Sequence, residues 1–157
     1  MPRVIVLDSF PLSCVGKSQG NPPTITDHCR QWVFDCIAAG NIVRVPAIIY
    51  YETLRELERL NASAQIQRLK AFCFTDPNRF LPLETADLEE AAKLWAQSRH
   101  TGMPTASPDA LDGDVILAAQ TLRLGLQKAD YVVATTNVAH LRPFVSAELW
   151  TSIPPGS

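Results

Sequence analysis

Four short stretches of this sequence carry side chains that suit one chemistry. LDGDVILAAQ (111–120) sets Asp112 and Asp114 at the mouth of a run, Val115 to Ala119, that has no polar stripe. Asp8 directly follows the apolar run VIVL, Glu52 lies in AIIYYETLREL, and Asn137 lies in TTNVAH. Each has an ordinary role when taken alone. An aspartate at a helix mouth caps orphan N–H groups and meets the positive dipole end. Asp8 suits the turn that leaves a strand, Glu52 suits a solvated helix face, and Asn137 suits a turn. As a set they mean more. Carboxylates drawn from separate segments to one place repel each other and need a positive partner. Hard oxygen ligands of this kind suit Mg²⁺ or Mn²⁺. Such ions commonly grip phosphate, and a phosphodiester-cleaving site needs carboxylates that place a metal.

The elements around these residues decide whether they can meet. Arg3–Leu7 reads as a short strand ended by a Pro-containing turn. Residues 13–25 read as a Gly-, Ser- and Pro-rich loop. A helix is expected from Thr26 to Ala39, with Trp32, Cys36 and Ala39 on one face and Gly40 as its stop. Ile42–Val45 reads as a strand, and Pro46 suits the start of a helix over Ala47–Leu60. A further helix carries Ile66, Leu69, Phe72 and Cys73, and Arg79–Leu83 is a third strand candidate. Thr85 caps a helix with Leu88, Ala91, Ala92 and Trp95 inward, ending near Gly102. MPTASPDA is a loop, the LDGDVILAAQ helix stops at Gly125, and Tyr131–Thr135 is the final strand candidate.

Strands alternating with helices predict a parallel sheet covered on both faces, and such sheets bind ligands outside the carboxyl ends of their strands. Asp8 and Thr136–Asn137 fall there, just past the first and last strands. Asp112 and Asp114 join them if the start of their helix faces the same edge. On an ideal helix Asp112 lies about 200° around from Asp114, so it shares the site only from the preceding loop. Gly113 supplies the backbone freedom for that arrangement.

Composition narrows the functional classes. The 157 residues have the size of one domain and show no repeat or linker, with a core over about 3–145 and a tail over 146–157. The net charge of −2 argues against a protein that simply coats nucleic acid, so any basic surface must be local. Val4–Leu7 is too short for a signal-peptide core or a membrane span. Four cysteines without a CxxC pair read as buried thiols in a reducing, cytoplasmic setting.

Asp8 after an N-terminal strand, Glu52 early in the helix after the second strand, Asp114 in DVILAA, and TTNVAHL near the end resemble a PIN-domain ribonuclease. The bacterial VapC-type toxins are the nearest in size and layout, and the match runs over about 8–145. The resemblance implies a small parallel sheet between helices and an acidic pocket that takes one or two Mg²⁺ or Mn²⁺ ions. It assigns catalysis to Asp8, Glu52 and Asp114, with metal ligation by Asp8 and Asp114 and an additional acid at Asp112. The family's fourth acid falls at Asn137, which offers a carbonyl but no charge and puts a second metal in question. Thr135 and Thr136 match the hydroxyl-bearing strand end that orients water or phosphate. Also implied are RNA as substrate, an inhibitory antitoxin, and a homodimer, for which Ile48, Ile49, Tyr50, Phe72 and Phe74 offer apolar surface.

Two other functions stay in play. A PIN-like module that binds RNA or protein without cutting is motivated by Asn137. A phosphatase of another aspartate-based fold is disfavoured, because position 10 is Phe10 where a second Asp is wanted. Gly16-Lys17-Ser18 resembles the tail of a phosphate loop, but Pro11 stands where its first glycine belongs. His140 reads as a loop histidine. Arg55, Arg59, Arg68 and Lys70 individually read as a solvated helix face partnered by Glu56 and Glu58; the resemblance makes them a rim that could flank Glu52's pocket and pair with RNA phosphates.

Overall fold

The computed structural model of the protein describes residues 2–100 and 108–156. Five parallel strands form one sheet in the order β3-β2-β1-β4-β5. They are β1 (Val4–Leu7), β2 (Ile42–Pro46), β3 (Phe80–Leu81), β4 (Tyr131–Thr135) and β5 (Ala147–Leu149). The helices are α1 (Ser9–Val15), α2 (Ile25–Ala38), α3 (Ala47–Arg59), α4 (Ser63–Thr75), α5 (Thr85–His100), α6 (Pro108–Leu122) and α7 (Val138–Leu141). The alternating α/β pattern therefore produces the expected parallel sheet between helices. β1 is central, with Ile5 opposite Val43 on one side and Val132 on the other. All five residues of β4 are buried, as a parallel strand covered on both faces demands.

The chain runs from β1 outward through β2 to β3, then crosses back to β4 on the other side of β1. That reversal opens a crevice at the carboxyl ends of β1 and β4. A buried amide holds the wall of this crevice. Gln120 on α6 accepts from the Ile48 N–H at 3.2 Å and donates to the Leu81 carbonyl at 3.0 Å. It thereby ties the start of α3 to the end of β3, with both its amide oxygen and its amide nitrogen paired.

Several expectations need correction. The turn and loop expected after β1 begin with a helix instead, because Pro11 lies in the first turn of α1, where its missing N–H is no loss. On α5 the buried stripe is Asp87, Ala91, Leu94 and Ser98. Leu88 and Trp95, expected inward, are 48% and 37% exposed. The helix is rotated because Asp87 is drawn inward by Arg123, whose Nε donates to its Oδ1 at 2.5 Å. The expected helix end near Gly102 and residues 103–107 of the expected loop lie outside the described residues, while 108–110 already belong to α6.

The stretch read as a tail completes the sheet. β5 pairs with β4, and Trp150 and Ile153 are buried in the core. Trp32 donates from Nε1 to the Ile153 carbonyl at 2.7 Å, and its ring stands 5.9 Å from that of Trp150. Of the residues expected to offer an interface, Ile49 and Phe72 belong to the core. Tyr50 and Phe74 pack on each other and on Phe80, with Phe74 half exposed. The four cysteines are free and buried, as expected. No described helix is long and apolar enough to cross a membrane.

Candidate active site

The carboxyl edge of β1 and β4 opens into a cavity of about 740 Å³. Asp8, Glu52, Asp114, Thr136, Asn137 and His140 line it together. Each residue arrives by a different route. Asp8 ends β1, where its N–H continues the ladder to the Ala134 carbonyl at 3.0 Å and its side chain caps α1 through Ser9 N–H at 2.7 Å. Glu52 projects from the second turn of α3. Asp114 comes from α6, and Thr136 and Asn137 follow β4.

Asp8 is held from behind. Thr135, fully buried at the end of β4, donates its hydroxyl to Asp8 Oδ2 at 2.7 Å and accepts the Asn137 N–H at 2.8 Å. The hydroxyl expected to orient water or phosphate is therefore committed to the carboxylate and the following loop. Thr135 positions Asp8, and Thr136 is one of the hydroxyl-bearing residues that line the cavity.

Gly113 has a different role from the one anticipated. Its φ is not positive; instead Glu52 lies against it. A Cβ at this position would stand 3.0 Å from Glu52 Oε2 and 3.2 Å from Oε1. The glycine makes room for the glutamate to reach across from α3 to α6. Only the folded arrangement reveals this contact, because residues 52 and 113 are far apart in sequence.

Asp112 does not join the cluster. α6 begins at Pro108, so Asp112 is already helical and points away from Asp114 by the helical phase. It borders a separate apolar groove with Leu88, Trp95, Val115 and Ile116. The additional acid expected at the site is thus absent from this cavity. His140, read from sequence as an ordinary loop residue, occupies the site instead. Its Nδ1 lies 2.8 Å from the Asn137 amide and 3.8 Å from Asp114 Oδ2. Lys17 and Arg55 also line the cavity.

The three carboxylates are in electrostatic tension. Burial, then the charges of Asp8 and Glu52, push Asp114 up to about 7. Burial and the nearby Asp8 raise Glu52, although Arg55 opposes this, and burial raises Asp8 against the bonds from Thr135 and Ser9. Such mutual elevation marks charges that lack a cationic partner. Among the described residues, no three His, Cys, Asp or Glu side chains already stand together as a metal-holding group. The donor chemistry nevertheless fits a hard divalent ion: all three carboxylates supply oxygen, and a cation would remove the repulsion between them.

An all-parallel five-stranded sheet between helices, with this crevice beside its central strand, is the α/β architecture expected from the sequence. No protein-family model matches the sequence, and no curated protein matches it. Solved structures do. VapBC-1 from nontypeable Haemophilus influenzae is similar at a TM-score of 0.64 and 15% identity, covering 95% of this chain and 99% of that one. VapBC2 from Rickettsia felis, bound to a DNA fragment from its promoter, is similar at 0.65 and 11% identity, covering 94% and 98%. At these identities the likeness is one of fold.

Proposed function

We propose that this protein is a Mg²⁺- or Mn²⁺-dependent endoribonuclease and the toxin of a toxin–antitoxin pair. The observation that carries the reading is the convergence of Asp8, Glu52 and Asp114 on one cavity, with Asp114 pushed up to about 7 by burial and by the other two. Perturbed carboxylates in a cleft mark functional sites more often than structural ones. Asp8 and Asp114 would hold the ion, and Glu52, seated against Gly113, would fix its third side. When bound, the ion would supply Lewis acidity and a nucleophile at neutral pH. Thr135 keeps Asp8 oriented toward the cavity. Thr136, Asn137 and His140 would present hydrogen-bonding groups to a phosphodiester in the same cavity.

The fold shared with the VapBC proteins supports an antitoxin as partner, and the resemblance in sequence adds RNA as substrate and pairing of two copies. One observation favours a second reading, a PIN-like module that binds without cutting. Asn137 stands where the family resemblance places a fourth acid, so the cavity has one negative charge fewer.

A single assay separates the two. The purified protein is incubated with structured and unstructured RNAs in Mg²⁺ or Mn²⁺, with EDTA as the zero, beside Asp8→Asn. Metal-dependent cleavage that disappears in D8N is the expected result. RNA that stays intact with wild type under all these conditions would overturn the nuclease in favour of the binding module.

A further inference from the structure

We propose that the part of the cavity lined by Lys17 and Arg55 is a second subsite, which grips a backbone phosphate of single-stranded RNA next to the one at the acids. The inference rests on the ribonuclease reading and adds to it where the strand lies. The cavity is much larger than the acids require. An ion and one phosphate fill a few water-sized volumes of about 30 Å³ each, against about 740 Å³ in all. Ser13 from α1, Lys17 from the loop after it, and Arg55 from α3 also line the cavity.

Lys17 and Arg55 are available cations. Among the described residues neither forms an ion pair, whereas Arg59, one turn beyond Arg55, is engaged by Glu56. Glu56 also borders the cavity, but that pairing holds its carboxyl below the ordinary range. Arg55 is steadied over the Tyr51 ring at 5.3 Å.

The loop that carries Lys17 is pinned more firmly than an exposed turn requires. Arg68 donates to the Gly16 carbonyl at 2.6 Å and Arg30 donates to the Lys17 carbonyl at 2.7 Å. A Cβ at Gly16 would meet the Gln65 carbonyl at 3.0 Å, so the loop lies tight against α4. Two helices, α2 and α4, thus fix the backbone at Lys17, whose side chain lines the cavity. The sequence Gly16-Lys17-Ser18 does not make a phosphate loop, yet its lysine is placed to meet a phosphate.

The cavity thus sets acids that need a cation beside two basic side chains that need an anion, which a metal-bound strand provides together.

The test measures binding of a fluorescent single-stranded RNA oligonucleotide by anisotropy, with Ca²⁺ in place of Mg²⁺, from about 50 to about 200 mM salt. Lys17→Gln and Arg55→Gln are compared with wild type and with Lys70→Gln, which removes a charge on α4 away from the cavity. Each subsite variant should bind several-fold more weakly. Each should also lower the slope of log affinity against log salt by about 0.7, the value for one single-strand phosphate contact. K70Q should keep the wild-type slope. Wild-type binding that K17Q and R55Q reproduce unchanged overturns the subsite and leaves the nuclease reading standing. A wild type that binds no RNA at the lowest salt overturns both.

Discussion

Asp27 and Asp114 are both carboxylates set into folded protein, and the molecule treats them in opposite ways. Asp27 receives the Thr24 N–H at 2.7 Å, the Gly20 N–H at 3.1 Å and the Arg30 guanidinium at 2.8 Å. The Thr24 and Gly20 amides and Arg30 hold its carboxyl down at about 2. Asp87 also has donors of its own, the Glu84 N–H at 2.9 Å and Arg123 at 2.5 Å. Asp114 faces other carboxylates, and the His140 ring stands 3.8 Å away. Acids that build the fold arrive with their donors. Acids of the site arrive with one another, and what would satisfy them comes from outside the chain.

The largest expected effect separates the two groups through activity. Glu52→Gln should lower Mg²⁺-dependent RNA cleavage by roughly a hundredfold or more, as loss of a group acting in the transition state does. Its unfolding temperature should stay constant or rise, because repulsion with Asp8 is relieved. Cleavage at the wild-type rate would return Glu52 to the class of solvated helix residues.

Asp87→Asn should do the reverse. Removing a charged hydrogen-bond partner from a side chain that is fully buried costs about 2 kcal/mol, which corresponds to a fall of roughly 4–8 °C for a domain of this size. Cleavage per folded molecule should be unaffected. A variant as stable as wild type would remove Asp87 from the acids that build the fold.

The smallest effect is in pH. The unfolded chain loses the Asp114 proton near 3.8, whereas the folded protein keeps it to about 7. The folded state therefore binds more protons across that window, and stability falls as pH rises from about 4 to about 7. Asp27 acts in the opposite sense: its contribution is complete above 3.8 and is lost as pH falls toward about 2. In EDTA, thermal melts should show a decline of a few degrees on going up to neutral pH. Asp114→Asn should flatten that decline, and Mn²⁺ should reverse it in wild type by binding only the folded form. Parallel wild-type and D114N curves would show that Asp114 carries no such tension.

The sheet and the meeting of Asp8, Glu52 and Asp114 were legible because strand–helix alternation selects one edge of a parallel sheet, and those residues fall at its ends. What escaped depends on facts a local pattern does not hold. The phase of Asp112 turns on where α6 starts, and PTASPDA contains no signal strong enough to set it. Lys17, in a loop, and His140, on the short helix α7, are ordinary residue types until folding brings them to the cavity. Gly113 reads as flexible, but its meaning is the glutamate from another helix. Asp87 breaks the apolar stripe of α5 because its partner, Arg123, lies 36 residues away. β5, with Ala147, Glu148 and Leu149, has neither the length nor the composition of a strand and is recruited by the edge of β4.

That last strand also has a practical consequence for handling the protein. β4 is buried along its whole length only because β5, Trp150 and Ile153 close over its outer side. A version ending before Ala147 would leave Tyr131–Thr135, a five-residue apolar ribbon, with unpaired amides and carbonyls on one side. Such a bare, flat edge is a template for strands from other molecules. The shortened protein would be lost to aggregation before its chemistry could be assayed.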